Sequence, residues 1–244
     1  MLGKPVKPLN GKAYGSIGHL PASRLGPGDW SMHEGQARIC CEKPRKGDRV
    51  IVSEKLDGAC MSVANINGEI VPLSRAGYKA EDALYEHLKY FAPYVDNRQH
   101  KFSTLLSPEE RICGEWLAMA HGTLYDASHP NFSPFIAFDI FRNGKRILRD
   151  EFLERCVDYE IKTAHVIHDG DTGLSVDRAL ELLGGFGFHG ATETIEGAVW
   201  RVERDGAVDF LAKYVRGDKV DGKYLVNTST SVVSEPIWLW REDL

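Results

Sequence analysis

Apolar and polar positions alternate along most of the chain, and three dipeptides break the alternation into pairs. Asn67-Gly68, Asn143-Gly144 and Asp205-Gly206 each separate two β-prone runs, and such pairs take the positive φ angles that two-residue hairpins need. Strands are therefore expected at 49–55, 59–66, 69–73, 111–118, 135–141, 145–148, 197–203 and 207–215. Helical spacing appears at 80–91, 150–158 and 175–183. The last is entered at Ser175 with Asp177 in its first turn, an N-cap and a charge that suit the helix dipole. Gly15, Gly18, Pro21, Gly26, Pro27 and Gly28 crowd the beginning, so residues 1–45 are expected to form an irregular segment on the surface. Hairpins with interspersed helices predict an α+β fold, not a doubly wound parallel sheet.

At 244 residues the chain can bury one substantial core, and 43% hydrophobic with 27% charged residues is the balance of a folded protein. No apolar run approaches membrane-spanning length, and Met1-Leu2-Gly3-Lys4-Pro5 does not begin a secretion signal. Five cysteines without a C-x-x-C pair argue against a disulfide framework and a thiolate zinc site, so a cytoplasmic, reducing location is expected. The net charge of −5 speaks against nucleic acid as a partner. Basic residues nevertheless cluster, first as Arg38, Lys43, Arg45, Lys46 and Arg49, later as Lys213, Arg216, Lys219 and Lys223. Local stripes of this kind can meet phosphates on an acidic protein.

No G-x-x-x-x-G-K-[ST] loop is present, and Gly184-Gly185-Phe186-Gly187 precedes no lysine; P-loop chemistry is excluded. A different lysine carries the argument. Val50-Ile51-Val52-Ser53-Glu54-Lys55-Leu56-Asp57-Gly58 sets an amine at the end of an apolar strand, directly before a turn signal. Alone, this is as well read as a surface hairpin lysine. In order there follow Ser74-Arg75-Ala76-Gly77, Gly114-Glu115-Trp116-Leu117, Phe138-Asp139-Ile140, Glu196-Gly197-Ala198-Val199 and Leu211-Ala212-Lys213-Tyr214. The set resembles the ordered motifs of the covalent nucleotidyltransferases, which comprise RNA ligases, DNA ligases and mRNA capping enzymes. The wording is most similar to the ATP-dependent RNA ligases: Glu115-Trp116-Leu117 with His121 and Tyr125 beyond it, Ala212-Lys213-Tyr214-Val215-Arg216, and an early His19-Leu20-Pro21 with Ser23-Arg24.

The resemblance implies a ligase-type nucleotidyltransferase fold, with antiparallel sheets and flanking helices around an ATP pocket. It implies that Lys55 attacks ATP and carries AMP, that the AMP passes to an RNA 5′-phosphate, and that a 3′-hydroxyl then seals the strand. Lys213 is implied as the catalytic partner at the α-phosphate, with Arg75 and Arg216 as further phosphate contacts. Glu196 and Glu115 are implied for Mg²⁺ or Mn²⁺, Glu115 also for the ribose, Phe138 for stacking on adenine, and Glu54 for the adenine amino group. A free lysine has a pKa of about 10.4, so only about one amine in 2,500 is unprotonated at neutral pH; neighbouring cations, metal or desolvation must lower it. Lys213 is the expected neighbour. The implied organisation is one domain over 1–244 with a tail at 217–244; the tail's Ile237-Trp238-Leu239-Trp240 is aromatic and is expected to pack on the core, with docking on a partner as the alternative. No OB-fold domain is expected, so RNA capture falls to the basic face or a companion protein. Cys60 stands where DNA ligases and capping enzymes carry arginine, which disfavours those two readings. A non-catalytic module binding nucleotides or RNA ends is the remaining rival, and has no use for the paired lysines.

Overall fold

The computed structural model describes residues 6–242. The Met1–Pro5 stretch, considered above for a secretion signal, lies outside the described residues, as do Asp243 and Leu244. Among the described residues, ten strands form two five-stranded sheets. The first sheet holds β1 (Gly18–His19), β2 (Asp48–Lys55), β8 (Val166–Gly170), β9 (Gly197–Arg204) and β10 (Ala207–Val215), in the order β1-β10-β9-β2-β8. The second holds β3 (Ala59–Ile66), β4 (Glu69–Ser74), β5 (Glu110–Trp116), β6 (Phe135–Arg142) and β7 (Lys145–Arg146), in the order β4-β3-β5-β6-β7. Every pairing is antiparallel except the short parallel match of β1 with β10. All three expected hairpins are present, with positive φ at Asn67 (54°), Asn143 (51°) and Asp205 (50°) and at the glycine after each.

Strand periodicity explains how the sheets are used. Side chains two apart share a face. In the first sheet, Val50, Val52, Ala198, Trp200, Val202 and Ala212 pack against α1 (Glu34–Cys41) and α6 (Val176–Leu183) through Ala37, Cys40, Ala179 and Leu183. In the second, Met61, Val63, Ile112, Trp116 and Ile140 pack against helices α2 (Glu86–Lys89), α3 (Phe91–Asp96), α4 (Gln99–Leu105) and α5 (Arg149–Asp158), chiefly on Phe91, Phe102 and Phe152. Helices thus cover the outer face of each sheet. The alternate residues of both sheets, among them Ile51, Ser53, Val199, Leu211, Cys60 and Glu115, line a cavity between them.

The α+β architecture agrees with the sequence, while several local expectations change. Residues 80–91 are not one helix: a 3₁₀ turn at Ala80–Asp82 is followed by α2, and α3 restarts at Phe91. Pro93 fits the first turn of that new helix because its missing N–H is not needed there. Residues 1–45 are not simply an irregular surface segment. Ala13, Tyr14, His19 and Leu20 are buried, α1 forms from Glu34, and β1 joins the first sheet beside Lys213. In the tail, Trp240 meets Trp116 edge-on at 5.6 Å and Leu239 N–H donates to Ala118, so the aromatic run does pack on the core.

One buried charge cluster ties the two sheets together. Asp139 on β6 receives Arg201 from β9 at 2.5 Å, Arg146 at 2.9 Å and the Tyr14 hydroxyl at 2.8 Å. Arg201 in turn donates to Glu203 at 2.7 Å. Removing one partner from such a cluster leaves buried charge unpaired, at a cost of about 3–5 kcal/mol. Asp139→Ala is therefore expected to lose stability of that order, read as a lower urea midpoint at unchanged slope. A loss below about 1 kcal/mol, the worth of a surface pair, would refute this account.

Candidate active site

Lys55 is the last residue of β2 in the first sheet, and β3 of the second sheet begins at Ala59. The chain crosses from one sheet to the other through Leu56, Asp57 and Gly58, so the lysine stands where the two meet. The crossing is tight: a Cβ on Gly58 would lie 2.4 Å from the Trp116 carbonyl oxygen, which only glycine avoids. Gly58 N–H donates to Glu115 Oε1 at 3.0 Å, and Asp57 N–H donates to the Tyr125 hydroxyl at 3.0 Å.

Register brings the second group in. Lys55 pairs with Gly197 across the β2–β9 ladder, and Glu196 immediately precedes it. A Cβ at Gly197 would meet the Tyr214 carbonyl oxygen at 1.9 Å, so Glu-Gly is a packing requirement here. Lys55 Nζ lies 2.6 Å from Glu196 Oε2. On β10, Lys213 Nζ lies 3.4 Å from Asp29 Oδ1, whose other oxygen is 3.1 Å from His19 Nε2. The surrounding cavity has a volume of about 480 Å³, within the range that holds small-molecule ligands.

Of the residues singled out in the sequence, Glu54, Lys55, Arg75, Glu115, Phe138, Glu196 and Lys213 all line this cavity. Phe138 reaches it through a β-bulge: Ala137 and Asp139 pair with Gly114 and Cys113, leaving Phe138 as the extra residue. Its ring is held by Tyr14, 5.0 Å away and nearly perpendicular. Arg75 is exposed at the edge and donates to Ser16 Oγ at 3.2 Å. Arg216 is not brought in. It pairs with Asp218 at 3.0 Å and lines a separate hollow with Lys219 and Lys223.

Sequence reasoning passed over His19, Asp29 and Tyr14 as cavity residues because they sit in the Gly/Pro-rich beginning. The spacing of His19 within its motif was the only available signal. The basic runs also change meaning. Arg45 and Arg49 are held by Asp48, Asp209, Asp150 and Asp169, and Lys223 by Glu193, so much of both stripes is neutralised by neighbouring carboxylates.

The electrostatics differ from the expected lowered lysine. Burial pushes the Lys55 ammonium down, but Glu196 and then Glu115 outweigh it and hold the group well above its ordinary range. Lys55 is therefore held as a clamped ammonium ion. Lys213 is the lysine that is lowered, by burial first and by the charge of Lys55 second. Burial raises Glu115 and Glu196 to about 7 against the opposing pull of Lys55. Glu54 is also raised to about 7 by burial, although Phe188 N–H donates to its Oε2 at 2.9 Å; its Oε1 is buried without a partner. Among the described residues no group of three or more His, Cys, Asp or Glu side chains could enclose a metal ion. The pair Glu115 and Glu196 instead suits a cation that takes few protein carboxylates and completes its shell with water and phosphate oxygens, as Mg²⁺ does.

Two mainly antiparallel sheets closing on a cavity, with a lysine at the crossing between them, form the ligase-type fold that the sequence led us to expect. Residues 48–215 match the sequence profile of the RNA ligase family, and the chain belongs to that family. Among solved structures it is similar to the RNA ligase of Naegleria gruberi. One variant of that protein with ATP and Mn superposes with a TM-score of 0.52 at 15% identity, covering 84% of this chain and 60% of the other. A second with ATP and Mn gives 0.51 at 16%, covering 70% and 51%, and the form with PPi gives 0.51 at 17%, covering 69% and 50%. The likeness at these identities is one of fold, and the chain spans about half to three-fifths of that ligase's length. No curated protein matches it.

The raised Glu54 carboxyl makes folding sensitive to pH. A carboxyl whose folded pKa lies above its unfolded value stabilises the fold below the unfolded pKa, and that contribution is lost as pH rises through the folded one. For Glu54 the window runs from 4.5 to about 7. Glu54→Gln should therefore lessen the fall in urea stability between pH 5 and pH 8, by an amount on the order of 2–3 kcal/mol. An equal fall in both proteins would rule this out.

Proposed function

We propose that the chain is an ATP-dependent RNA ligase acting through a lysyl-AMP intermediate. The observation that carries the proposal is the Lys55–Glu196 contact of 2.6 Å inside a cavity that Lys213, Arg75, Glu115 and Phe138 also line. The Lys55 amine attacks the α-phosphorus of ATP. The ammonium first loses one proton to solvent; the amine then forms a nitrogen–phosphorus bond as the bond to the pyrophosphate oxygen breaks, and Nζ releases its second proton to solvent. Lys213 and Arg75 meet charge that develops on the phosphates, which preorganised cations stabilise best in a water-poor site. Phe138 faces one side of the base, with the aliphatic Val199 and Leu211 contributed by the other sheet. Glu54 borders the cavity, but its carboxylate turns toward Phe188 N–H and Gly187 on the face of β2 that carries Val50 and Val52, so the contact expected to the adenine amino group is not carried by this side chain. Glu196 and Glu115 would hold Mg²⁺ or Mn²⁺. When bound, such an ion would supply positive charge beside Glu196 and so favour the neutral Lys55 amine.

In the steps that follow, AMP moves from Lys55 to the 5′-phosphate of an RNA end, and a 3′-hydroxyl displaces AMP to seal the strand. The Naegleria gruberi structures with ATP, Mn and PPi support ATP and a divalent metal as the reactants here as well. We read the described residues as one adenylyltransferase domain.

Incubation with ATP and Mg²⁺ is expected to add the mass of one AMP to the intact chain. Lys55→Ala and excess EDTA should each abolish the adduct, and Lys213→Ala should slow it on the order of a hundredfold. The product should join 5′-phosphorylated RNA in a gel assay run beside DNA. Attachment of GMP in place of AMP would overturn the ATP assignment, and ATP binding without any adduct would overturn the enzyme.

A further inference from the structure

The turn that carries Lys55 is fixed by a residue outside the family-matched region. Lys219 follows the matched residues 48–215, yet its side chain runs inward and is buried. Its ammonium lies 2.8 Å from Asp57 Oδ2, donates to the Gly122 carbonyl oxygen at 2.7 Å, and donates to Thr123 Oγ1. The Thr123 hydroxyl passes its own hydrogen to Asp57 Oδ2 at 3.0 Å. All three ammonium hydrogens can therefore be satisfied, and the Asp57 carboxylate is held from two sides. The fit leaves no slack: a Cβ on Gly122 would lie 2.7 Å from both Asp57 Oδ2 and the Val220 carbonyl oxygen. The backbone of the same turn is held by Tyr125 and Glu115, and the segment bearing Lys219 is tied back through Tyr224 N–H to the His121 carbonyl oxygen at 2.7 Å.

We infer that Lys219 is a positioning residue of the proposed reaction, which sets the aim of the Lys55 amine by anchoring the Asp57 carboxylate. The inference rests on the lysyl-AMP reading above. Lys55 is two residues from Asp57 and lies at the end of a strand, so a shift of the turn moves Nζ relative to a bound α-phosphate. Misplacing a reacting atom by an ångström costs on the order of a hundredfold in rate. Lys219 lies outside the lining of the main cavity, so it should affect the chemical step without affecting nucleotide binding. A residue that only secured the tail would instead lower stability and leave the rate of folded protein unchanged.

The test is single-turnover formation of the AMP adduct across ATP concentrations, for wild type, Lys219→Met, Asp57→Asn and the double variant. Lys219→Met is expected to lower the maximal rate by about tenfold or more, with the half-saturating ATP concentration within about threefold of wild type. The double variant should be no slower than the slower single variant, because both changes break one contact. Thr123→Val removes one hydroxyl from the same cluster and should show a smaller loss in the same direction; it decides the matter if Lys219→Met does not fold. Full maximal rate in Lys219→Met, effects that multiply in the double variant, or a loss confined to ATP affinity would each overturn the inference. A wild-type chain that gains no AMP would sink this inference together with the proposed function. A wild type that gains AMP beside a fully active Lys219→Met would sink this inference alone.

Discussion

A lysine ammonium enclosed between two sheets must either find a carboxylate or give up its proton, and this protein supplies the carboxylate. Lys55 leaves β2 at the point where the chain passes from the first sheet to the second, with Gly197 as its ladder partner and Glu196 beside it. The close approach of Gly197 to Tyr214, and of Gly58 to Trp116, holds the two strand ends in register. The ion pair, the cavity and the crossing between sheets are thus one feature. Remove the crossing and Lys55 becomes a hairpin lysine in water; remove Glu196 and a buried charge stands unpaired, a loss usually worth several kcal/mol.

The same geometry explains how one pocket can hold two cations side by side. Lys55 rests on Glu196 and Lys213 rests on Asp29, so each cation has its own anion. The two pairs are not equivalent. Glu196 and Glu115 together raise Lys55, whereas Lys213, more weakly paired at 3.4 Å, is lowered by burial and by Lys55. The sequence-based expectation that Lys213 depresses Lys55 reverses in the folded chain, because the nearest charges to Lys55 are carboxylates. In the proposed reaction, nucleophilicity at Lys55 would therefore depend on what the incoming reactants do to Glu196, not on a permanently lowered pKa.

What could be read beforehand was what strand period and turn chemistry encode. The three hairpins follow from Asn-Gly and Asp-Gly pairs whose positive φ is local to two residues, and Ser175 caps its helix through a bond to Arg178 N–H three residues on. Seven of the eight expected site residues line one cavity because each sits at a strand end or on a cavity-facing strand position. The failures turn on side-chain partners, near and far, that strand period and turn chemistry do not encode. Arg216 was expected to contact phosphate, but Asp218, two residues away, turns it aside. The basic runs looked like stripes, and the carboxylates that neutralise Arg45 and Arg49 come from up to 164 residues away. No window of sequence shows those pairings.

The beginning of the chain shows most clearly why composition misleads. Its glycines and prolines do exclude long elements, yet the segment is held by backbone bonds to both sheets: Leu20 N–H to the Lys213 carbonyl oxygen at 2.8 Å, and Ala13 N–H to that of Arg75 at 3.1 Å. Glycine is needed where chains approach closely. A Cβ at Gly77 would lie 2.0 Å from the Gly11 carbonyl oxygen, and one at Gly18 would lie 2.6 Å from the Trp30 ring. Gly/Pro content here marks contact, not looseness. That contact sets Tyr14 against Phe138 and Asp29 against Lys213, so the segment expected to lie on the surface contributes to the cavity wall. With the segment in place, Lys213 is shielded and its charge is offset. Were it displaced, water would screen both lysines and weaken the coupling between them, and the charge balance on which Lys55 depends would no longer be set by the protein.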